Sequence, residues 1–157
     1  MGLRFFNRIQ ETEGSGPGEM NRVNERYDAY FPRLFAYVHS CVGGDMRTQD
    51  IVIQAFSRAF RGAGTTDDEK FHSILFRTAR RLCRPALKDS ESDDSEFLNL
   101  KEREIISLVF DAGLTRKQIA HLFRIRESTV GSVLMTGLRK LNKRTSPAAA
   151  AAYLKLA

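Results

Sequence analysis

Cysteine is scarce in this chain: Cys41 and Cys83 are the only two in 157 residues. They lie far apart, each inside an apolar helical pattern, which predicts buried reduced thiols and no disulfide framework. His39, His72 and His121 are scattered, so no cluster has metal-ligand spacing. No apolar run approaches the ~18 residues a membrane span needs. Met1 to Arg8 lack the apolar core and cleavage site of a signal peptide, and Gly2 lacks the Ser or Thr that myristoylation favours. The expected compartment is the cytoplasm, with no membrane insertion. Paired carboxylates, a phosphate-cradling glycine loop and a nucleophile–base set are all missing from the pattern. The expectation is therefore no enzyme, no cofactor and no small-molecule substrate. Strand patterns are missing too, since apolar alternation is always too short to compete with helical periodicity.

What is present is an ordinary globular composition, 42% hydrophobic and 28% charged, with 25 Lys plus Arg against 19 Asp plus Glu. The net charge of +6 suggests a polyanionic partner. Residues 11–19, ETEGSGPGE, read as a flexible linker, leaving 1–20 as an N-terminal extension. Helical periodicity begins near Arg22, with Val23, Tyr27, Tyr30, Phe31, Leu34, Val38 and Cys41 in one stripe. Pro32 either kinks this helix or follows a short first helix that ends before it. Gly43 and Gly44 stop the element, and Ile51, Val52, Ala55, Phe56, Ala59 and Phe60 mark a second helix. Thr66 or Asp67 can cap a third, with Asp68 and Glu69 in its first turn.

The third helix has two faces. Phe71, Ile74, Leu75, Ala79 and Leu82 form the apolar one; Arg77, Arg80, Arg81 and Arg84 recur at i, i+3, i+4 and i+7 and form a basic stripe. Lys70 to Lys88 contains six basic residues and no acid, and Pro85 is expected to end or kink the helix. Residues 89–96, DSESDDSE, carry five acids among eight residues and no large apolar side chain. Such a run cannot bury a core, so it reads as a solvated linker and the domain boundary.

Three further helices follow. Lys101 to about Ala112 is the first, with Gly113 past its end. Thr115 caps RKQIAHLF, the turn RIR follows, and Ser128 or Glu127 opens a longer helix. The tail 145–157 is Ala-rich and either extends the last helix or frays. Apolar residues at these steps also suit a plain three-helix bundle, but short helix, three-residue turn and long helix favour a helix-turn-helix, which needs a small apolar core to lock its helices at a steep angle. Ile119, Ala120, Phe123, Ile125, Val130 and Val133 supply that core. Thr129, Gly131, Ser132 and Met135 are then left facing outward, where they would enter a DNA major groove. From Gly113 to Arg144 there are eight basic residues and one acid, Glu127. Backbone phosphates are the natural counterpart of such a surface. The arginine stripe of the third helix, with Phe71 and Phe76 nearby, has the chemistry that stacks on and holds unpaired bases.

Three blocks, in this order, resemble sigma factors of the extracytoplasmic-function type. RTQDIVIQAFSRAF (47–60) and FHSILFRTARR (71–81), after the opening YDAYFPRLFAYV, are similar to the family's region 2; QIAHLFRIRESTVGSVLMTGLRKLN (118–142) is similar to its region 4. The resemblance implies an all-α protein of two small helical domains joined by a short acidic linker. Residues 21–88 would be a region-2-like bundle, 89–96 the linker, and 97–144 a region-4-like helix-turn-helix domain. It further implies that Asp50, Gln54 and Phe56 bind RNA polymerase core. Lys70, Phe71, Arg77, Arg80, Arg81 and Arg84 would melt and hold the −10 promoter element. The −35 element would be met by Arg116, Lys117, Arg124, Arg126, Ser128, Thr129, Gly131, Ser132, Met135 and Arg139. The partners implied are RNA polymerase core, promoter DNA and an anti-sigma factor. This chain departs from the family pattern in placing Ile74 at a usual Trp, Arg81 at a usual Asn and Arg124 at the turn glycine. Gly131, Val133, Thr136 and Leu138 stand where the family often has Lys or Arg. That depletion shifts the expected phosphate contacts to Arg116, Lys117, Arg124 and Arg126. It also favours a rival, a sigma mimic that binds an anti-sigma factor without initiating transcription; the arginine stripe disfavours it. A plain dimeric helix-turn-helix regulator would leave residues 22–88 without a role.

Overall fold

The computed structural model describes residues 16–89 and 98–144. Among these, all regular structure is helical: α1 (Pro17–Val42), α2 (Asp45–Ala63), α3 (Asp68–Asp89), α4 (Leu100–Phe110), α5 (Arg116–Phe123) and α6 (Glu127–Arg144). The chain divides into two compact units, one ending at Arg84 and the other beginning at Pro85. The acidic run expected as linker lies, from residue 90 onward, outside the described residues, as do the Ala-rich tail and the first 15 residues of the N-terminal extension.

In the first unit, α1 starts earlier than the sequence predicts. Pro17 occupies its first turn and Glu19 sits there too. The fixed φ of proline is already helical, its missing N–H is not needed at that position, and a carboxylate favours the helix N-terminus. Residues 17–19 are therefore helix, not linker. Pro32 does not end α1, which runs through it to Val42. Pro32 and Asp28, whose carbonyl loses its helical donor, both face solvent, so water can satisfy that group. The same reasoning holds at Pro85: of the two outcomes expected there, an end or a kink, the helix does not end, and α3 continues to Asp89 with Arg81 and Pro85 both exposed. Gly43 (φ 59°) and Gly44 (φ 75°) reverse the chain between α1 and α2 through backbone conformations that cost a side-chain-bearing residue strain.

The core of this unit is aromatic. Leu34, Tyr37 and Val38 of α1 are fully buried, as are Ala55, Phe56 and Ala59 of α2 and Phe71, Leu75, Phe76 and Ala79 of α3. The Phe71 ring lies 4.8 Å from Phe60, 5.6 Å from Tyr30 and 6.3 Å from Phe56, joining all three helices. Arg26, 8% exposed, covers the ring with its guanidinium 4.9 Å from the centroid. That charge is satisfied by the Asp68 carboxylate at 2.6 Å and by donation to the Gly64 carbonyl at 3.0 Å. The α2–α3 turn is thereby tied to α1.

The second unit has an aliphatic core: Ile105, Leu108, Ala112, Leu114, Ile119, Leu122 and Val130. Its helix ends are defined by reciprocal caps. The Glu102 N–H donates to Asn99 Oδ1 and the Asn99 N–H to Glu102 Oε2, each at 2.9 Å. At α5 the Gln118 N–H donates to Thr115 Oγ1 at 3.2 Å and the Thr115 N–H to Gln118 Oε1 at 2.9 Å. Gly113 takes the left-handed φ of 63° expected past the end of α4. A helix with no Cβ at Gly137 lets α6 approach α4: a Cβ there would sit 2.8 Å from Ile106 Cδ1.

Candidate nucleic-acid interface

The helix-turn-helix is built by α5, α6 and the turn Arg124–Ile125–Arg126. Arg124 is the one non-glycine residue among the described residues with positive φ, at φ 56° and ψ 45°. Its N–H donates to His121 O at 3.3 Å and the Ile125 N–H to Ala120 O at 3.0 Å, closing α5. Arg124, at the position of the family's turn glycine, therefore takes the left-handed conformation, at a cost of roughly 1 kcal/mol relative to glycine. Ile119 and Val130 are fully buried and Ala120 nearly so, as the motif requires. Ile125 and Val133 are half-buried. Leu122, which the sequence pattern did not single out, is 6% exposed and buried more completely than Phe123, which lies at the edge of that face.

The outward surface of α6 carries Ser128, Ser132, Met135, Thr136 and Arg139, all exposed, with Thr129 and Gly131 partly covered. Met135 is 52% exposed, unusual for a large apolar side chain. Two hydroxyls turn back on the helix: Ser132 Oγ donates to Ser128 O at 3.0 Å and Thr136 Oγ1 to Ser132 O at 2.9 Å. Their oxygens remain acceptors. Arg116, Lys117, Arg124 and Arg126 are all exposed around this helix. The basic count contains one false member. Lys140 Nζ donates to both Glu102 oxygens, at 2.9 and 2.8 Å, and Glu102 is only 5% exposed. Lys140 is thus held by an internal ion pair, while Lys143 remains exposed. The motif Asn99-x-x-Glu102 carried the one sequence signal of this arrangement, the cap; nothing in sequence marks Lys140 as its partner.

In the first unit, Arg77, Arg81 and Arg84 are exposed along α3, Arg80 is half-buried and Lys70 is exposed at the helix start. Arg77 Nη2 lies 3.4 Å from Ser73 Oγ, one turn earlier. Asp67 caps α3, accepting the Lys70 N–H at 2.9 Å. Phe71 corrects the sequence reading. It is fully buried in the three-helix core, and Phe76 with it, so neither ring can stack on a base in this fold. Phe56 needs the same correction: it is fully buried, whereas Asp50 and Gln54, one turn apart on α2, are exposed. Phe56 lies two residues beyond Gln54, about 200° around the helix, and so points inward. Beside Arg26, burial and the Asp68 carboxylate raise the Tyr30 phenol above its ordinary pKa, keeping it a neutral ring at the edge of the core.

Both cysteines are buried, and no disulfide joins them. Among the described residues no group of three or more His, Cys, Asp or Glu could hold a metal ion, and no helix is long and apolar enough to cross a membrane.

No curated protein and no solved structure matches the chain. The helix-turn-helix unit has a counterpart among protein families: residues 97–143, under a third of the chain, match the model for Sigma-70, region 4.

Proposed function

We propose that the chain is an RNA polymerase sigma factor of the extracytoplasmic-function type, which recruits core polymerase to a subset of promoters. The observation that carries this reading is the region 4 match over the residues that fold as α4, α5, the Arg124 turn and α6. The first unit then supplies the remaining sigma functions. The exposed pair Asp50 and Gln54 contacts polymerase core, and the stripe Arg77, Arg80, Arg81 and Arg84, with Lys70, holds the melted −10 strand. Phosphate contact and cation–π stacking by arginine suit that task without a buried phenylalanine. The second unit docks on the −35 duplex, with phosphates met by Lys117, Arg124 and Arg126. The protein works in the cytoplasm, and an anti-sigma factor is its expected regulator.

A second reading has one specific observation in its favour. From Ser128 to Leu138, α6 carries no charged side chain, and Lys140 is committed to Glu102. A sigma mimic that occupies an anti-sigma factor needs no DNA-binding charge there. Run-off transcription with core polymerase and a genomic promoter library separates the two. A sigma factor yields discrete transcripts that disappear with Asp50→Arg plus Gln54→Arg, while circular dichroism stays unchanged. A protein that never opens a promoter with core, yet binds an anti-sigma factor tightly, is the mimic.

A further inference from the structure

The outward face of α6 has no charge of its own over eleven residues, Ser128 to Leu138; Glu127 precedes that stretch and Arg139 follows it. A cation nevertheless lies on it. Arg116 is the first residue of α5, fixed by the Thr115–Gln118 capping box, and its side chain crosses to α6. Arg116 Nη1 lies 3.6 Å from the point where Gly131 would carry a Cβ. Glycine at this position leaves the helix surface bare, so a planar guanidinium can rest on it. Arg116 is exposed, and among the described residues no hydrogen bond or ion pair engages it. Along α6, Gly131 is followed by Ser132, whose hydroxyl proton is turned into the helix, and one turn on by Met135, half-exposed.

We propose that Arg116 is a specificity-determining residue of the helix-turn-helix: from α5 it places its guanidinium at Gly131 and reads a base edge in the major groove, with guanine as the matching base. This rests on the reading above, that α6 enters duplex DNA. The chemistry follows from the fork of donors. Docking removes water from the α6 surface, and an arginine caught there with no internal partner must find acceptors on the DNA. The paired O6 and N7 of guanine match a guanidinium in two parallel hydrogen bonds. Lys117, Arg124 and Arg126 remain for phosphates, which carry no sequence information.

The test is selection of bound duplexes from a randomised pool, using the full-length chain alone and assembled with polymerase core. Wild type, Arg116→Ala, Arg116→Lys and the phosphate control Lys117→Ala are compared by sequencing the bound fraction. Arg116 is exposed, so its variants are expected to fold, which thermal melting checks. Arg116→Ala should erase preference at one base pair, lowering discrimination there roughly 5- to 150-fold, while other positions keep theirs. Arg116→Lys keeps the charge but not the fork and should restore little of it. Lys117→Ala should weaken all duplexes alike and reduce the salt dependence by about one phosphate contact. If Arg116→Ala instead weakens every sequence equally, or Arg116→Lys restores the full preference, Arg116 is a phosphate contact and this inference falls while the proposed function stands. If wild type shows no sequence preference in either format, both fall together.

Discussion

The two units are stabilised by different means. In the first, specificity comes from rings: Tyr27, Tyr30, Phe56, Phe60, Phe71 and Phe76 pack across three helices, with the Arg26 guanidinium over Phe71. In the second, the core is plain Ile, Leu, Val and Ala, and specificity comes from the backbone between helices. Two reciprocal caps, Gly113 and the left-handed Arg124 set where each helix begins and ends. The contrast teaches why the second unit is readily matched by a family model. Caps and tight turns demand particular residues at fixed short spacings, and so leave a readable motif. A ring cluster assembled from three helices tolerates many arrangements of the same apolar stripes, so it leaves a weak one.

Substitutions in both units break or sharpen this contrast. Phe71→Ala should have the largest effect, because it removes the ring that joins α1, α2 and α3. A loss of about 3–5 kcal/mol for the first unit is expected in denaturant unfolding followed by a probe in that unit. A loss under about 1 kcal/mol would mean the ring cluster is not what holds the helices together.

Glu102→Ala comes next. It deletes the α4 capping partner and strands Lys140, whose side chain is 39% exposed and can still reach water. That access lowers the cost below that of a fully buried broken pair, so about 1–3 kcal/mol is expected. Glu102→Gln keeps a cap acceptor and should cost less. Equal costs for both would place the whole effect in the ion pair. Arg124→Gly should go the other way, stabilising the second unit by up to about 1 kcal/mol as left-handed strain is relieved. The same variant should bind duplex DNA more weakly and with a shallower salt dependence, since it loses a phosphate contact. Unchanged or reduced stability would show that the Arg124 side chain contributes more than its backbone costs.

The smallest effect on stability belongs to Arg77→Ala with Arg80→Ala, within about 0.5 kcal/mol because neither side chain is part of the core. Its functional effect should be large. Polymerase binding should persist while permanganate reactivity of promoter thymines, the mark of an open complex, is lost. Retained opening would remove the arginine stripe from the melting surface.

The helix-turn-helix was legible almost to the residue, because its signals are local. Thr115-x-x-Gln118, the RIR turn and the apolar spacing from Ile119 to Val130 all act within a few positions of one another. The capping pair Asn99 and Glu102 was equally local, and would have placed the start of α4 at Leu100 instead of Lys101. Phe71 shows a different limit. Its position on the apolar face of α3 was readable from the helical period, and burial follows from that face. Grouping it with the arginines relied on closeness in sequence, whereas Arg77 projects from another side of the helix. Pro17 falls in a stretch whose composition reads as linker, and Pro32 and Pro85 each allow a kink or an end, yet α1 and α3 contain all three. A proline is tolerated where the backbone group it orphans meets water, and that depends on which side of the helix the tertiary packing covers.

By itself, then, the sequence determined the all-helical class, the turn and cap positions of the second unit, and the left-handed backbone at Arg124. Each is set by hydrogen bonds and steric limits between residues no more than about five apart. Only the tertiary structure decided which charges are free to meet a partner. Arg26 is taken up by Asp68 and the Gly64 carbonyl, and Lys140 by Glu102, across 38 residues or more of chain in every case. Arg116 has no hydrogen-bond or ion-pair partner among the described residues and lies beside Gly131 of another helix. A formal charge is written in the sequence, but its availability depends on desolvation and on partners brought near only by the fold.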